Sequence, residues 1–120
     1  MKRAPLIALA AAAAIVAIAV GSAGATGTAS TVKVTTPSGL QYSPKLLKAT
    51  SGKVTIVYTN KSGIPHDVRV KQGAKKIGGT KIISKGTTSA SVTLAKGTYT
   101  FYCSVPGHEA AGMKGKLTVS

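Results

Sequence analysis

Short runs in which apolar and polar side chains alternate dominate the chain after residue 30. The clearest run is 53–60, where Val54, Ile56 and Tyr58 fall on one face and most residues are β-branched or aromatic. Alternation of this kind is typical of strands that bury one face. It predicts further strands at 31–36, 66–70, 80–83, 90–94, 98–103 and 114–119, and an irregular strand at 40–47 that a proline interrupts.

Turn residues separate these runs at intervals of about eight to twelve residues, and no segment after residue 25 keeps a helical period for two turns. The polar, glycine-bearing segment 71–79 is predicted to be an exposed loop or a short helix. The predicted fold class is all-β, an antiparallel Greek-key β-sandwich of about seven to eight strands. We assign 31–120 to this single domain and the small residues at 26–30 to a flexible leader.

The N-terminus has the composition of an export signal. Lys2 and Arg3 precede an unbroken apolar run at 6–20, and small residues follow at 22–25. We therefore predict a signal peptide over 1–25, cleaved after Ala25, and a periplasmic or otherwise extracytoplasmic protein. An uncleaved membrane anchor is the alternative, because the apolar run approaches the length needed to span a bilayer.

Basic residues far outnumber acidic ones. The chain has 16 Lys and Arg against two acids, Asp67 and Glu109, and the formal charge of +14 becomes +12 when 1–25 are removed. A charge of this size favours acidic protein partners or an anionic membrane surface. Nucleic acid is not predicted as a partner, because the lysines are scattered singly and no aromatic residues interleave with them.

Cys103 is the only cysteine, so the chain cannot form an internal disulfide. A free thiol, an intermolecular disulfide and a metal-bound thiolate are the remaining possibilities. Because a reactive thiol is readily oxidised outside the cytoplasm, the metal-bound thiolate is the most economical interpretation.

Potential metal ligands are concentrated around this cysteine. His108 and Met113 follow Cys103 with four residues in each gap, and a Pro-Gly pair and a further glycine let the segment bend. Such a loop can direct three side chains at one atom, and His66 begins a strand that can lie beside it. Two imidazoles, a thiolate and a weakly bound thioether are the ligands of an electron-transfer copper site. Zinc is the alternative metal, although zinc sites seldom include methionine.

The run YCSVPGHEAAGMKGKLTV at 102–119, together with IPHDV at 64–68, resembles the cupredoxins, the small type 1 blue copper proteins such as plastocyanin and azurin. The resemblance covers about 31–120. The ligand spacing is closest to that of rusticyanin and sulfocyanin, since plastocyanin, pseudoazurin and amicyanin have a shorter gap between cysteine and histidine. The resemblance implies a cupredoxin-like Greek-key β-sandwich in which His66, Cys103, His108 and Met113 bind one type 1 copper ion.

One position departs from the family pattern. The residue after the first histidine is often asparagine in cupredoxins, and here it is Asp67. We predict that its carboxylate accepts hydrogen bonds from Ser104 and so steadies the cysteine loop from outside the ligand set. An exposed loop aspartate is the alternative. A negative charge at this position is expected to stabilise Cu(II) and to lower the reduction potential relative to asparagine.

In cupredoxins the second histidine reaches the surface through an apolar patch and serves as the electron port. The resemblance therefore implies a port at His108, with a patch formed by Ile64, Pro65, Val105, Pro106, Ala110 and Ala111. The function that follows is a monomeric, non-enzymatic electron carrier whose partners are redox proteins with acidic docking surfaces, such as a cytochrome, an oxidase or a reductase. Extracytoplasmic copper delivery by a carrier or chaperone is the alternative. An enzyme is disfavoured, because four filled ligand positions leave no open site for a substrate.

Overall fold

Eight strands form two packed sheets in residues 28–120, the part of the chain that this computed structural model describes. The predicted signal peptide and the first two residues of the predicted leader lie outside the described residues. The strands are β1 Thr28–Thr36, β2 Leu46–Ala49, β3 Gly52–Asn60, β4 Arg69–Gln72, β5 Lys75–Gly79, β6 Gly86–Leu94, β7 Gly97–Tyr102 and β8 Lys114–Val119. None of the described residues form a helix that could cross a membrane.

The predicted all-β sandwich is confirmed. One sheet has three strands in the order β1-β3-β6, and the other has five in the order β2-β8-β7-β4-β5. The alternation predicted at 53–60 places Val54, Ile56 and Tyr58 in the core between the sheets, each at most 1% exposed. The facing sheet contributes Val68, Val70, Phe101 and Leu117 to the same core.

The pairing is not antiparallel throughout, and that part of the prediction is wrong. β1 pairs with β3, and β2 pairs with β8, in parallel. The chain crosses from the three-stranded sheet to the five-stranded sheet at β2 and then returns, so β1 and β3 run in the same direction. Parallel neighbours need such a crossover, because a tight hairpin can join only antiparallel strands.

The first strand begins earlier than predicted. Residues 28–30, assigned from sequence to the flexible leader, extend β1 and pair with 52–54 of β3. Backbone pairing with a neighbouring strand needs no apolar side chains. The small residues at 28–30 therefore do not show the alternation that would predict a strand. The predicted strand at 40–47 is also shorter, because Ser43 makes only an isolated bridge with Thr35 and the strand proper is β2.

The segment 71–79 is neither a loop nor a helix but part of the hairpin between β4 and β5. The chain turns at Gly73, which has φ 59°, and β5 lies at the edge of its sheet, where a strand can remain polar. The predicted strand at 80–83 is absent. Its backbone contacts are separate: Thr80 N–H donates to the Val68 carbonyl at 2.9 Å, and Ile83 makes an isolated bridge with His66.

The buried Tyr58 predicts how stability depends on pH. Burial raises its pKa from 10.0 to about 12, against a smaller opposite effect of the 2.6 Å hydrogen bond with the Thr36 hydroxyl. Above pH 10 the unfolded chain releases this proton while the folded chain retains it. Tyr58 alone should therefore lower the free energy of unfolding by about 1.4 kcal/mol for each pH unit up to about 12, in addition to the effect of the buried Tyr42, whose pKa burial also raises. Urea unfolding at several alkaline pH values should show a shallower fall for Tyr58→Phe. Equal slopes for the two proteins would contradict this assignment.

Candidate metal centre

His66 is held at the end of the sandwich from two sides. Its backbone N–H donates to the Ile83 carbonyl at 3.0 Å, and the Ile83 N–H donates back at 2.9 Å. The Asn60 side chain donates to the carbonyls of Ile64 at 2.8 Å and Ile83 at 2.7 Å. The turn before His66 is therefore tied to the segment that follows β5, and the backbone that carries the imidazole is fixed.

The imidazole of His66 has a defined orientation. Its Nε2 lies 2.9 Å from the Gly39 carbonyl, which can only accept, so Nε2 carries the ring proton. The other nitrogen, Nδ1, is left with a lone pair that faces Cys103 and His108. Burial lowers the pKa of His66, which keeps the ring neutral and able to bind a metal.

The loop after β7, residues 103–113, is folded back on itself by its own backbone. Cys103 N donates to the Met113 carbonyl at 3.2 Å, and Met113 N donates to the His108 carbonyl at 3.0 Å. Gly112, just before Met113, has φ 106°, a conformation that side chains disfavour. These bonds hold together the backbones of the three predicted ligands in this ligand loop.

Three of the four predicted ligands meet at one point. Cys103 Sγ lies 3.8 Å from His66 Nδ1 and 3.5 Å from His108 Nδ1, and the two nitrogens are 3.1 Å apart. The potential ligand atoms of these residues all lie within 4.8 Å of one another. Met113 is fully buried, with its backbone bonded to both Cys103 and His108.

The convergent atoms suit a soft or borderline metal. Two imidazole nitrogens face each other beside a thiol, and with His66 Nδ1 unprotonated at most one hydrogen bond can join the nitrogens. Cys103 is 1% exposed and burial raises its pKa, so the thiol would keep its proton unless a metal replaced it. A sulfur and two imidazoles, beside a buried methionine whose backbone is bonded to Cys103 and His108, match the ligand preferences of copper.

Asp67 joins the segment next to His66 to the ligand loop. Its Oδ1 accepts from the Ser104 backbone N–H at 2.7 Å, and its Oδ2 accepts from the Ser104 hydroxyl at 2.5 Å. The predicted contact with Ser104 is present, and the alternative of an exposed aspartate is wrong because Asp67 is 2% exposed. The Tyr42 hydroxyl donates to the Asp67 carbonyl, so both the backbone and the side chain of Asp67 are held.

Known proteins share this sequence and fold. Residues 28–120 match the family described as copper binding proteins, plastocyanin/azurin family. The chain belongs to that family. Plastocyanin from Lactuca sativa is 37% identical over 92 residues, which cover 68% of this chain and 90% of that protein. Chloroplastic plastocyanin from Pisum sativum is 38% identical over 92 residues, which cover 68% of this chain but only 53% of that longer relative.

A solved structure gives the same fold. Reduced auracyanin from Roseiflexus castenholzii has a TM-score of 0.68 and 24% identity, over 78% of this chain and 99% of that chain. The family match and the plastocyanin relatives confirm the cupredoxin prediction, and this structure shows the same fold. Family membership and the convergent ligand atoms together support a single type 1 copper site, as the sequence predicted. The likeness of the ligand spacing to rusticyanin and sulfocyanin stays a prediction.

In this cupredoxin the two histidines differ in exposure. His66 is fully buried, whereas His108 is partly exposed. Val105 and Ala111 are hydrogen-bonded to the His108 backbone. The other four residues of the predicted patch are exposed: Ile64, Pro65, Pro106 and Ala110. An apolar patch around the second histidine stays a prediction.

An ion pair connects the ligand loop of this cupredoxin to β4. Lys71 Nζ lies 2.6 Å from Glu109 Oε2 and 4.4 Å from the centroid of the Tyr102 ring. Tyr102 immediately precedes Cys103, and Glu109 immediately follows His108. Lys71 thus contacts side chains next to two of the predicted ligands.

Sequence reasoning missed the residues that orient His66. Asn60 lies on the same buried face of its strand as Val54, Ile56 and Tyr58. A polar residue in this alternating series was the feature of the sequence that could have indicated its role. Gly39 acts only through its carbonyl, which leaves no trace in the sequence.

Proposed function

We propose that this cupredoxin is an extracytoplasmic electron carrier in which His66, Cys103, His108 and Met113 bind the copper ion. The observation that carries the proposal is the convergence of two imidazoles and the only cysteine within 4.8 Å, in a family described as copper binding. Copper held by such ligands exchanges one electron between Cu(I) and Cu(II).

The surrounding chain keeps these side chains in place when the charge of the site changes. The Gly39 carbonyl orients His66, the loop's own backbone bonds hold Cys103 and His108, and Asp67 holds Ser104. A rigid site needs little rearrangement on electron transfer. His108, as the more exposed imidazole, is the proposed electron port, and redox partners would approach its apolar surroundings.

The test is to add Cu(II) to the purified protein. An intense blue charge-transfer band is expected, together with repeated reduction and reoxidation without loss of copper. Rapid transfer of copper to an acceptor apoprotein would instead support the alternative of copper delivery. A protein with reduced Cys103 that develops no blue band would contradict the copper proposal itself.

Export by a signal peptide cleaved after Ala25 is part of the proposal. The supporting feature is the order of basic, apolar and small residues at the N-terminus. Mass spectrometry of the protein from an exporting host should give an N-terminus at Thr26. Retention of the apolar run in a membrane fraction would favour the anchor instead.

We propose that this protein is a monomer and that its partners are acidic redox proteins. An anionic membrane surface is the second candidate partner. Neither acid offers a free surface carboxylate, because Asp67 is buried and Glu109 is paired with Lys71. The remaining ionic surface of the described residues is basic, with 13 lysines and one arginine against these two acids.

The charge of the protein predicts that electron transfer with an acidic redox protein slows as salt rises. The Debye length falls from about 30 Å at about 0.01 M salt to about 3 Å at about 1 M, so electrostatic steering is lost. We expect the bimolecular rate constant to fall by about tenfold or more across this range. Stopped-flow measurements give the rate, and an uncharged small-molecule oxidant serves as the control. A flat salt dependence with the acidic protein would count against steering.

A further inference from the structure

The strand registers collect basic side chains on the outer face of the five-stranded sheet. One row crosses four neighbouring strands, with each residue opposite the next: Lys116 of β8, Thr100 of β7, Lys71 of β4 and Lys76 of β5. Residues that lie opposite each other share a face of the sheet. A parallel row places Lys114, Tyr102 and Arg69 side by side. With Lys48 on β2, six cations occupy what we call the basic face: Lys48, Arg69, Lys71, Lys76, Lys114 and Lys116.

The outer face of the three-stranded sheet is different. It carries mostly hydroxyl side chains, which pair across strands, as in Thr55 with Ser91 and Thr59 with Thr87, each at 3.0 Å. Its strand cations are only Lys33 and Lys53. Among the strand residues, the positive charge is therefore concentrated on the five-stranded sheet.

This concentration is unfavourable for the isolated sheet. Like charges on neighbouring strands repel. Among the described residues, Lys71 is the one cation of this face that has an acidic partner, Glu109. Lysines at sheet edges are commonly explained as protection against edge-to-edge pairing. That explanation covers Lys48 and Lys76 on the edge strands, and the ion pair with Glu109 accounts for Lys71. Neither covers Lys114 and Lys116, which lie on the inner strand β8.

An exposed apolar side chain lies among these charges. Leu46 on β2 is 71% exposed, and it borders a cleft of about 550 Å³. Four lysines and one acid also line this cleft: Lys45, Lys71, Lys114, Lys116 and Glu109, the last paired with Lys71. A single apolar anchor surrounded by polar side chains is a common arrangement in protein interfaces. One leucine is a small apolar area for membrane insertion, which relies on several large apolar residues.

We propose that the basic face is the docking surface for an acidic redox protein that presents a cluster of Asp and Glu side chains. The inference rests on the proposed function for the nature of the partner. The face ends at Tyr102, next to Cys103 in sequence. A cleft of about 300 Å³ begins at Lys71, Lys76 and Tyr102 and continues to the ligand loop, where Glu109, paired with Lys71, also lines it. A partner docked there lies beside the metal centre.

Poly-L-glutamate is a simple probe of where an acidic chain binds. Titrating it into the copper-loaded, reduced, ¹⁵N-labelled protein should shift amide signals mainly in β2, β8, β7 and β4. Shifts concentrated in β1, β3 and β6, spread evenly over both sheets, or confined to the ligand loop would overturn the proposal.

A matched pair of double variants separates local docking from net charge. Lys48→Glu/Lys116→Glu reverses two charges on the basic face, and Lys33→Glu/Lys53→Glu reverses two exposed charges on the other sheet. Both variants lower the net charge by the same amount. The Kd for poly-L-glutamate should rise about tenfold more in the first variant than in the second at equal salt. Equal increases would overturn the proposal.

Vesicles containing phosphatidylserine test the competing anionic surface. In one outcome, the Lys48→Glu/Lys116→Glu variant loses sedimentation with the vesicles and still binds poly-L-glutamate as tightly as the control variant. In that case the basic face recognises lipid, and the proposal is wrong. The blue band and the reduction potential are measured on the same protein preparations after reoxidation to Cu(II). If the unmodified protein shows no blue band and no reversible reduction, the electron-carrier function is contradicted. If it shows both but poly-L-glutamate does not prefer the basic face, only the docking site is contradicted.

Discussion

Replacing Cys103 with serine is expected to abolish the blue charge-transfer band while the protein stays folded. The band requires a thiolate bound to Cu(II), and a serine hydroxyl is a harder ligand that keeps its proton. Serine has nearly the same shape, so the buried position beside His66 and His108 is retained. Absorption spectra during Cu(II) addition, metal analysis and thermal unfolding by circular dichroism measure the three parts of this expectation.

Met113→Leu is the matched control for this result. It leaves the thiolate and both imidazoles in place and substitutes one buried apolar side chain for another of similar volume. We expect the blue band to persist and the reduction potential to change, because a weak axial ligand tunes the potential more than it holds the metal. An intense blue band in Cys103→Ser, or its complete loss in Met113→Leu, would contradict the proposed roles of these two residues.

The candidate ligands could be predicted because their residue types are rare in this chain. There is one cysteine, there are two histidines, and Met113 is the only methionine besides Met1. The core strands could be predicted because burial of one face imposes a period of two, as at Val54, Ile56 and Tyr58. In both cases the side chain itself carries the information.

What could not be predicted depends on the backbone or on register. The parallel pairing of β1 with β3 leaves the alternation unchanged, and β5 lacks an apolar face because it lies at a sheet edge. The orientation of His66 depends on a carbonyl of Gly39. The lysines look scattered along the sequence, and only the register between β8, β7, β4 and β5 shows that Lys116, Lys71 and Lys76 form one row.

The second large expected effect concerns Asp67, whose replacement by asparagine should raise the reduction potential. The carboxylate is 2% exposed and follows His66 directly in sequence. Its negative charge favours Cu(II) over Cu(I), and solvent screens it little because it is buried. Removing that charge should raise the potential by an amount on the order of tens of millivolts, where about 59 mV corresponds to a tenfold change for a one-electron couple. Voltammetry on both proteins at pH 7 gives the shift.

A comparison of Asp67→Asn with Asp67→Ala separates the charge from the hydrogen bonds. Asparagine retains a carbonyl oxygen for the Ser104 N–H, and its amide can donate to the Ser104 hydroxyl, so stability should change little. Alanine leaves the Ser104 donors without their acceptor and should lower the free energy of unfolding by about 1–3 kcal/mol. Glu109→Gln is the control for removing an acid near the site, and its effect on the potential should be smaller because Glu109 is more exposed and paired with Lys71. If Asp67→Asn kept the potential of the unmodified protein, the carboxylate would serve only to hold the loop through Ser104 and would not tune the metal.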